Sequence, residues 1–398
     1  MWVARLVGIV QNSVMSPTGL SRARLAVTLA FIAHGMVFAS WLPRIPALKN
    51  DLGLSDGALG LILLAPPAGA IAAMSLTGAA CVRFGTATVT RVTAIGYTLG
   101  LTAIGLGAGS APGLVAALLL AGALVGAFDV AMNSQAATVE RAMAKPVMGS
   151  FHASWSLAAA AGAGIGGFAA QQQIALWIQL LCVGGFALLL LLPFFTAFIP
   201  DTEPAATKRR WRFEKGLVLL AVVAFAALLA EGATADWSAV FLTEDQDASA
   251  MVAAWGYGLF SIAMFLGRLA GDRLVHRIGR SRSISTAALV GGIGMGIGLV
   301  AAEVAGPGPT AQAAVIAGLF VLGLGIAVIV PVVFSAAGDG PGIAMVSTGG
   351  YTGWLLGPAV IGGLGEFLGL SAAMWAIPVL ALVAALVAPL GLRALPKS

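Results

Sequence analysis

Twelve stretches of about twenty largely apolar residues follow one another along this chain, separated by short polar connections. They cover approximately 25–48, 57–80, 88–109, 113–137, 147–170, 174–199, 216–242, 251–273, 283–303, 311–335, 343–366 and 370–393. Each is long enough, as a helix, to cross the hydrocarbon core of a bilayer. The chain is 59% hydrophobic and 9% charged, against about 25% charged in a soluble domain. So few charges cannot cover a soluble surface. Strands of a membrane barrel would alternate in segments of about ten residues, and no such alternation is seen. The expectation is an all-α polytopic membrane protein.

The Lys and Arg residues orient it. With the N-terminus in the cytoplasm, all of the 21 except Arg44 and Lys49 fall on the cytoplasmic side. The opposite orientation inverts the asymmetry, so the positive-inside rule puts both termini inside. The outer loops receive Asp51, Asp56, Glu244, Asp245 and Asp247. The net charge of +5 reflects this distribution and points to no nucleic acid. Residues 1–21 read as a cytoplasmic tail. The longest connection, 200–215, is rich in Pro and charge and divides 22–199 from 216–398. Cys81 and Cys182 suggest neither a disulfide nor a metal site and read as packing residues.

The halves are alike. The first span ends in "AHGMVFASWLPRIP" and the seventh in "AEGATADWSAVFL". The fifth carries Trp155 before a Gly-rich segment, and the eleventh carries Tyr351 and Trp354 in a similar setting. A six-plus-six duplication with a central loop is the pattern of a rocking secondary transporter, built as two pseudo-symmetric six-helix bundles.

The fourth span poses the sharpest chemical question. At 100° per residue, Gly122, Gly126, Asp129, Asn133 and Glu140 share one face, with Leu120, Leu124 and Val130 elsewhere. A charged Asp at the bilayer centre costs roughly 3 kcal/mol on the insertion scale, so Asp129 needs a reason. It either takes up and releases a coupling proton or makes a structural hydrogen bond between helices. Asn133, one turn on, is placed to contact a solute. Glu140, at the cytoplasmic mouth, reads as a solvated or latch residue. His34 in the first span, His152 in the fifth and Glu231 in the seventh are the other candidate proton-handling groups, with His152 at a depth similar to Asp129. Each His has the alternative of one bond to a backbone carbonyl. Asp236 lies nearer the outer surface, where Arg44 can snorkel or close a gate against it. Trp41, Trp155, Trp237, Trp354 and Tyr351 are candidate walls of a solute cavity; interfacial anchoring is the alternative for Trp.

"GRLAGDRLVHRIGR", residues 267–280, resembles the cytoplasmic loop motif of the major facilitator superfamily. Gly267, Arg268, Gly271, Asp272, Arg277, Gly279 and Arg280 match it, with the acid earlier than in the commonest form. The first-half copy keeps Gly78, Arg83 and Gly85 but has Val82 where the acid belongs. "FDVAMNSQAATVE" and "EGATADWSAVFL" resemble the fucose-permease-like branch, including its uncharacterised bacterial inner-membrane members. The resemblance implies a multi-pass carrier in the bacterial inner membrane. It would move a small polar solute such as a sugar, coupled to protons, by alternating access. In sugar–proton symporters of the fucose type an acid stands in the first span; here that span holds His34. The loop motif then implies a cytoplasmic latch, with Asp272 pairing to Arg or to a helix N-terminus. The plainer reading of its charges is anchoring to anionic lipid.

No catalytic set, no P-loop for ATP and no metal-ligand cluster is present in the sequence. No cofactor is expected, and the partners are a solute, protons and lipid, with the chain acting as a monomer. Proton-driven export of a drug or secondary metabolite, and a non-transporting receptor or scaffold, are the alternative functions.

Overall fold

The computed structural model describes residues 17–200, 214–338 and 341–395. Most of the expected tail and of the central connection lies outside the described residues. Their regular elements are all helical, with no strand among the described residues. The first span is α1 (Pro17–Trp41), a 3-10 turn over Leu42–Arg44 and α2 (Ile45–Asp51). Then come α3 (Asp56–Ile62), α4 (Ala65–Phe84), α5 (Thr86–Gly100), α6 (Thr102–Gly107), α7 (Ala111–Met143), α8 (Met148–Gln171) and α9 (Leu176–Leu191). The second half holds α10 (Lys215–Glu244), α11 (Ala250–Ile278), α12 (Arg280–Ala305), α13 (Pro309–Ile326), α14 (Ile329–Ala336), α15 (Pro341–Leu368), α16 (Leu370–Ala373) and α17 (Ala376–Arg393).

Ten helical stretches among the described residues are long and apolar enough to cross a membrane. The fifth and eleventh expected spans are the long helices α8 and α15, where Gly, Ala and Ser dilute the hydropathy. Several spans that read as single runs are broken. The breaks at Leu42–Arg44, Leu63–Leu64 and Ala327–Val328 fall beside Pro43, Pro66 and Pro331. Proline lacks the N–H that would bond back to the preceding turn, and its ring crowds the carbonyl there. The third span breaks after Gly100 without a proline. Helix α7 runs to Met143, beyond the expected 137, because hydropathy reports the hydrocarbon core and not where the backbone stops being helical.

The described residues fall into two compact units. One lies within 1–40, 65–162 and 174–205, the other within 41–64, 163–173 and 206–398. By packing, therefore, 41–64 and 163–173 go with the second half of the chain. Inside the first unit, Gly122 and Gly126 of α7 press on Pro66 and Ala70 of α4, and Gly162 of α8 on Met36 of α1. Inside the second, Gly323 of α13 meets Phe260 of α11, and Gly291 of α12 meets Gly325 of α13. Small residues let apolar helices approach this closely where burial from water supplies no drive. Large apolar side chains such as Leu76, Leu106 and Val304 point outward, as a lipid-facing surface requires. Cys81 is buried against Val89 and Ala131, as expected of a packing residue. Cys182 is exposed instead, because it falls on the outer face of α9.

Candidate functional site

The first unit gathers the fourth-span carboxylate and the first-span histidine around aromatic rings. Asp129 and Asn133 sit one turn apart on α7, and Asn133 Nδ2 donates to Asp129 Oδ1 at 3.0 Å and to the Asp129 carbonyl at 2.9 Å. The carboxylate thus takes its hydrogen bond from its own helix. It lies within electrostatic reach of Tyr97 of α5. Tyr97 is fully buried and donates its hydroxyl to the His34 carbonyl at 2.6 Å. Its ring stacks on the His34 imidazole, with centroids 4.8 Å apart and planes 6° from parallel. Phe128, next to Asp129 in the chain, packs on both Tyr97 and His34.

The second nitrogen pair of this cluster sets a tautomer. Trp155 Nε1 donates to His34 Nδ1 at 2.8 Å. An indole nitrogen can only donate, so Nδ1 accepts and the neutral ring carries its proton on Nε2. Nε2 is buried and directed toward the Val125 backbone of α7 without a hydrogen bond of normal geometry. Protonated His34 would have two N–H donors, and the Trp155 bond could not persist. His152, one turn before Ser156 on α8, lies edge-on to Phe31 at 5.1 Å and close enough for its charge to act on His34.

The second unit repeats part of this arrangement. Gly35 follows His34 in α1, and a Cβ there would lie 2.4 Å from the Trp155 carbonyl oxygen. Gly232 follows Glu231 in α10, and a Cβ there would lie 2.3 Å from Trp354 Cδ1. In each half, the glycine that follows an ionisable residue in the first span meets the tryptophan of the fifth. Glu231 forms an ion pair with Arg268 of α11 at 3.6 Å. Tyr257, also on α11, lies within reach of both charges. The sequence groups Arg268 with the loop motif; the structure turns it back along α11 to a carboxylate inside the unit. Asp236 is half-buried and has no hydrogen bond or ion pair among the described residues.

Other expected positions resolve differently. Trp41 and Trp237 are 5% and 0% exposed: both are core residues, Trp237 against Gly362. Trp155 and Trp354 are half-buried and Tyr351 is exposed. Glu140 is half-buried and bonded rather than simply solvated. Its Oε2 accepts from the backbone N–H groups of Val147 and Met148, both at 2.7 Å, and so caps the start of α8. In the loop motif, Gly279 has φ 80° and separates α11 from α12. Gly85 does the same between α4 and α5 with φ 82°, a conformation open to glycine at little cost. Gly267 presses on Ala327, Gly271 lies beside Val328 and Arg280 donates to Ser335 Oγ at 3.2 Å. Arg277 and Asp272 are exposed. Asp272 has no ion-pair partner among the described residues, so the acid–Arg pairing expected of the motif is not formed in this structure.

Several further groups emerge only from the packing. Lys49 meets Glu244 directly and Asp56 at 2.6 Å. Nearby, Glu366 accepts from the Gly57 N–H at 2.9 Å. Two of the acids expected in outer loops thus pair with Lys49, and the carboxylate acting on Arg44 is Asp51 rather than Asp236. Gln135 is fully buried, donating to Thr86 Oγ1 at 2.5 Å and exchanging bonds with the Ile199 backbone. Tyr97 had one signal available, as one of only three tyrosines in the chain. Among the described residues no group of three or more His, Cys, Asp or Glu converges to hold a metal.

The profile of the Major Facilitator Superfamily matches residues 27–342. An uncharacterised MFS-type transporter of Yersinia pestis is 34% identical over 381 residues, 92% of this chain and 95% of its own length. Membrane protein MosC of Rhizobium meliloti is 30% identical over 361 residues, 88% of this chain and 85% of its own. Among solved structures, the inward-open xylose transporter XylE of E. coli superposes with TM-score 0.70 at 14% identity, covering 94% of this chain and 96% of its own. A mutant of the nucleoside transporter NupG gives 0.67 at 13% identity, covering 94% and 100%.

Proposed function

The chain belongs to the major facilitator superfamily and is a multi-pass membrane transporter; from that premise we propose that it moves a small polar solute, a sugar or related metabolite, by alternating access coupled to protons. Asp129 is the coupling carboxylate. The observation that carries this reading is the Asp129–Asn133 pair itself. Its only side-chain partner among the described hydrogen bonds is an amide on the same helix, so a proton on Asp129 would not cost an ion pair. Asn133 senses the protonation state through the same bond and is placed to touch the solute.

His34 is the second proton-handling group. Its Nδ1 is occupied by Trp155, so a proton can arrive there only as the indole leaves, and the motion of α8 against α1 is tied to the charge on His34. Glu231, held by Arg268, is the matching group of the second half. Cytoplasmic termini, residence in the bacterial inner membrane and action as a monomer complete the reading.

Reconstitution of the Asp129→Asn variant tests it. The variant is expected to fold, to exchange solute across the liposome membrane and to lose accumulation driven by an imposed pH gradient. A variant that loses thermal stability yet still accumulates solute would make Asp129 structural. The solute is found first by a thermal-shift screen of the purified protein against sugars, nucleosides, amino acids and dyes. A response confined to amphipathic dyes would favour export of a drug or secondary metabolite.

A further inference from the structure

We propose that the second unit carries a binding site for an amphiphilic primary amine, with the ammonium head between Asp245 and Glu303 and the apolar tail along α12. A cavity of about 200 Å³ opens where α10 and α12 end, bordered by Phe241, Asp245, Gln246, Glu303, Ser371 and Trp375. At ~30 Å³ per water it holds about six waters, or one small head group.

Its chemistry is one-sided. Two of its lining residues are carboxylates and none is cationic. Ser371 donates to Asp245 Oδ2 at 2.5 Å, which fixes that carboxylate, and Glu303 is exposed. The C-terminal ends of α10 and α12 both fall here, and such ends carry partial negative charge. Gln246, also at its border, is 6% exposed, and its Oε1 is buried with no hydrogen-bond partner. A primary ammonium answers the negative charge, bringing positive charge and three N–H donors to the carboxylates.

Trp375 extends the site toward lipid. It borders the head-group cavity and also a second, apolar groove of about 690 Å³ lined by Ile293, Ile297, Val300 and Val304. Those four side chains are 48%, 63%, 47% and 83% exposed, on the face that meets acyl chains. The Trp375 ring lies over Gly296, 3.5 Å from where a Cβ would be. One residue therefore joins an anionic pocket to an apolar track. An alkyl chain in the track delivers its ammonium to the pocket, with the indole face available for a cation–π contact.

The test is binding and does not depend on the transport reading. Protein in phosphatidylcholine nanodiscs is titrated calorimetrically with n-octylamine, with empty nanodiscs subtracted. One saturable site is expected. Octan-1-ol should not compete, and octyltrimethylammonium, which has no N–H, should bind about tenfold more weakly. Asp245→Asn combined with Glu303→Gln should weaken octylamine binding at least about tenfold. Glu303→Gln alone, on an exposed side chain, keeps the test available if the pair fails to fold, and it should weaken binding in the same direction. Val300→Trp, which fills the groove, should weaken octylamine and leave butylamine unchanged. Heat no greater than that of empty nanodiscs overturns the proposal. So does equal binding of octanol, undiminished binding in the charge variants, or octylamine affinity unmoved by Val300→Trp.

Discussion

Trp155 of α8 donates its indole N–H to Nδ1 of His34 on α1 across 2.8 Å, and it lies against Gly35, the residue that follows His34. Glycine makes the approach and histidine supplies the acceptor, so two adjacent residues of one helix position a ring of another. Gly232, which follows Glu231, holds the equivalent place toward Trp354 in the second unit.

The hydrogen bond is the first thing to remove. Trp155→Phe keeps a ring on Gly35 and deletes the donor. It should lower stability by about 1 kcal/mol, read as the melting temperature in detergent. Gradient-driven transport should fall more than this loss of folded protein explains. A variant that melts and transports like the parent would deny the bond any role.

The Glu231–Arg268 pair should show coupling. Both side chains are under one-fifth exposed, at 19% and 18%, so removing one partner leaves the other charged and poorly hydrated. Glu231→Gln and Arg268→Gln should each destabilise. The double variant should be more stable than their sum predicts by about 1 kcal/mol or more. Strict additivity in a double-mutant cycle would mean that the pair contributes nothing.

Helix contact can be tested at two glycines. A Cβ on Gly122 would fall 1.9 Å from the Pro66 carbonyl oxygen, whereas one on Gly164 meets nothing within 4 Å. Gly122→Ala should cost about 1–3 kcal/mol or abolish folding. Gly164→Ala should stay within about 0.5 kcal/mol. Equal melting temperatures would show that α4 and α7 are not in close contact.

Topology is checked by cysteine labelling in a background lacking Cys81 and Cys182. A cysteine at residue 205 should react only from the cytoplasmic side and one at the exposed Asp247 only from outside. The Lys and Arg asymmetry is the basis. Labelling of both from one side would break the twelve-span arrangement.

What the residues alone determined is whatever has short range. Hydrophobic length set the class and the placement of the spans, and the helical repeat put Gly122, Gly126, Asp129 and Asn133 on one face, two pressing on α4 and two bonded to each other. Internal repetition matched Trp155 to Trp354 and Gly85 to Gly279. These follow from rise, period and backbone sterics, which act between near neighbours in the chain. The tertiary structure decided which face meets which helix. Tyr97 joins His34 to the Asp129 region from 63 residues away. Arg268 leaves its loop motif for Glu231, and Lys49 draws in Glu244 across 195 residues. Glu140 caps α8, and Trp41 and Trp237 sink into the core. Such contacts depend on how each helix is rotated and how closely small residues let it approach. That is a property of the packed set of helices, and no single helix carries it.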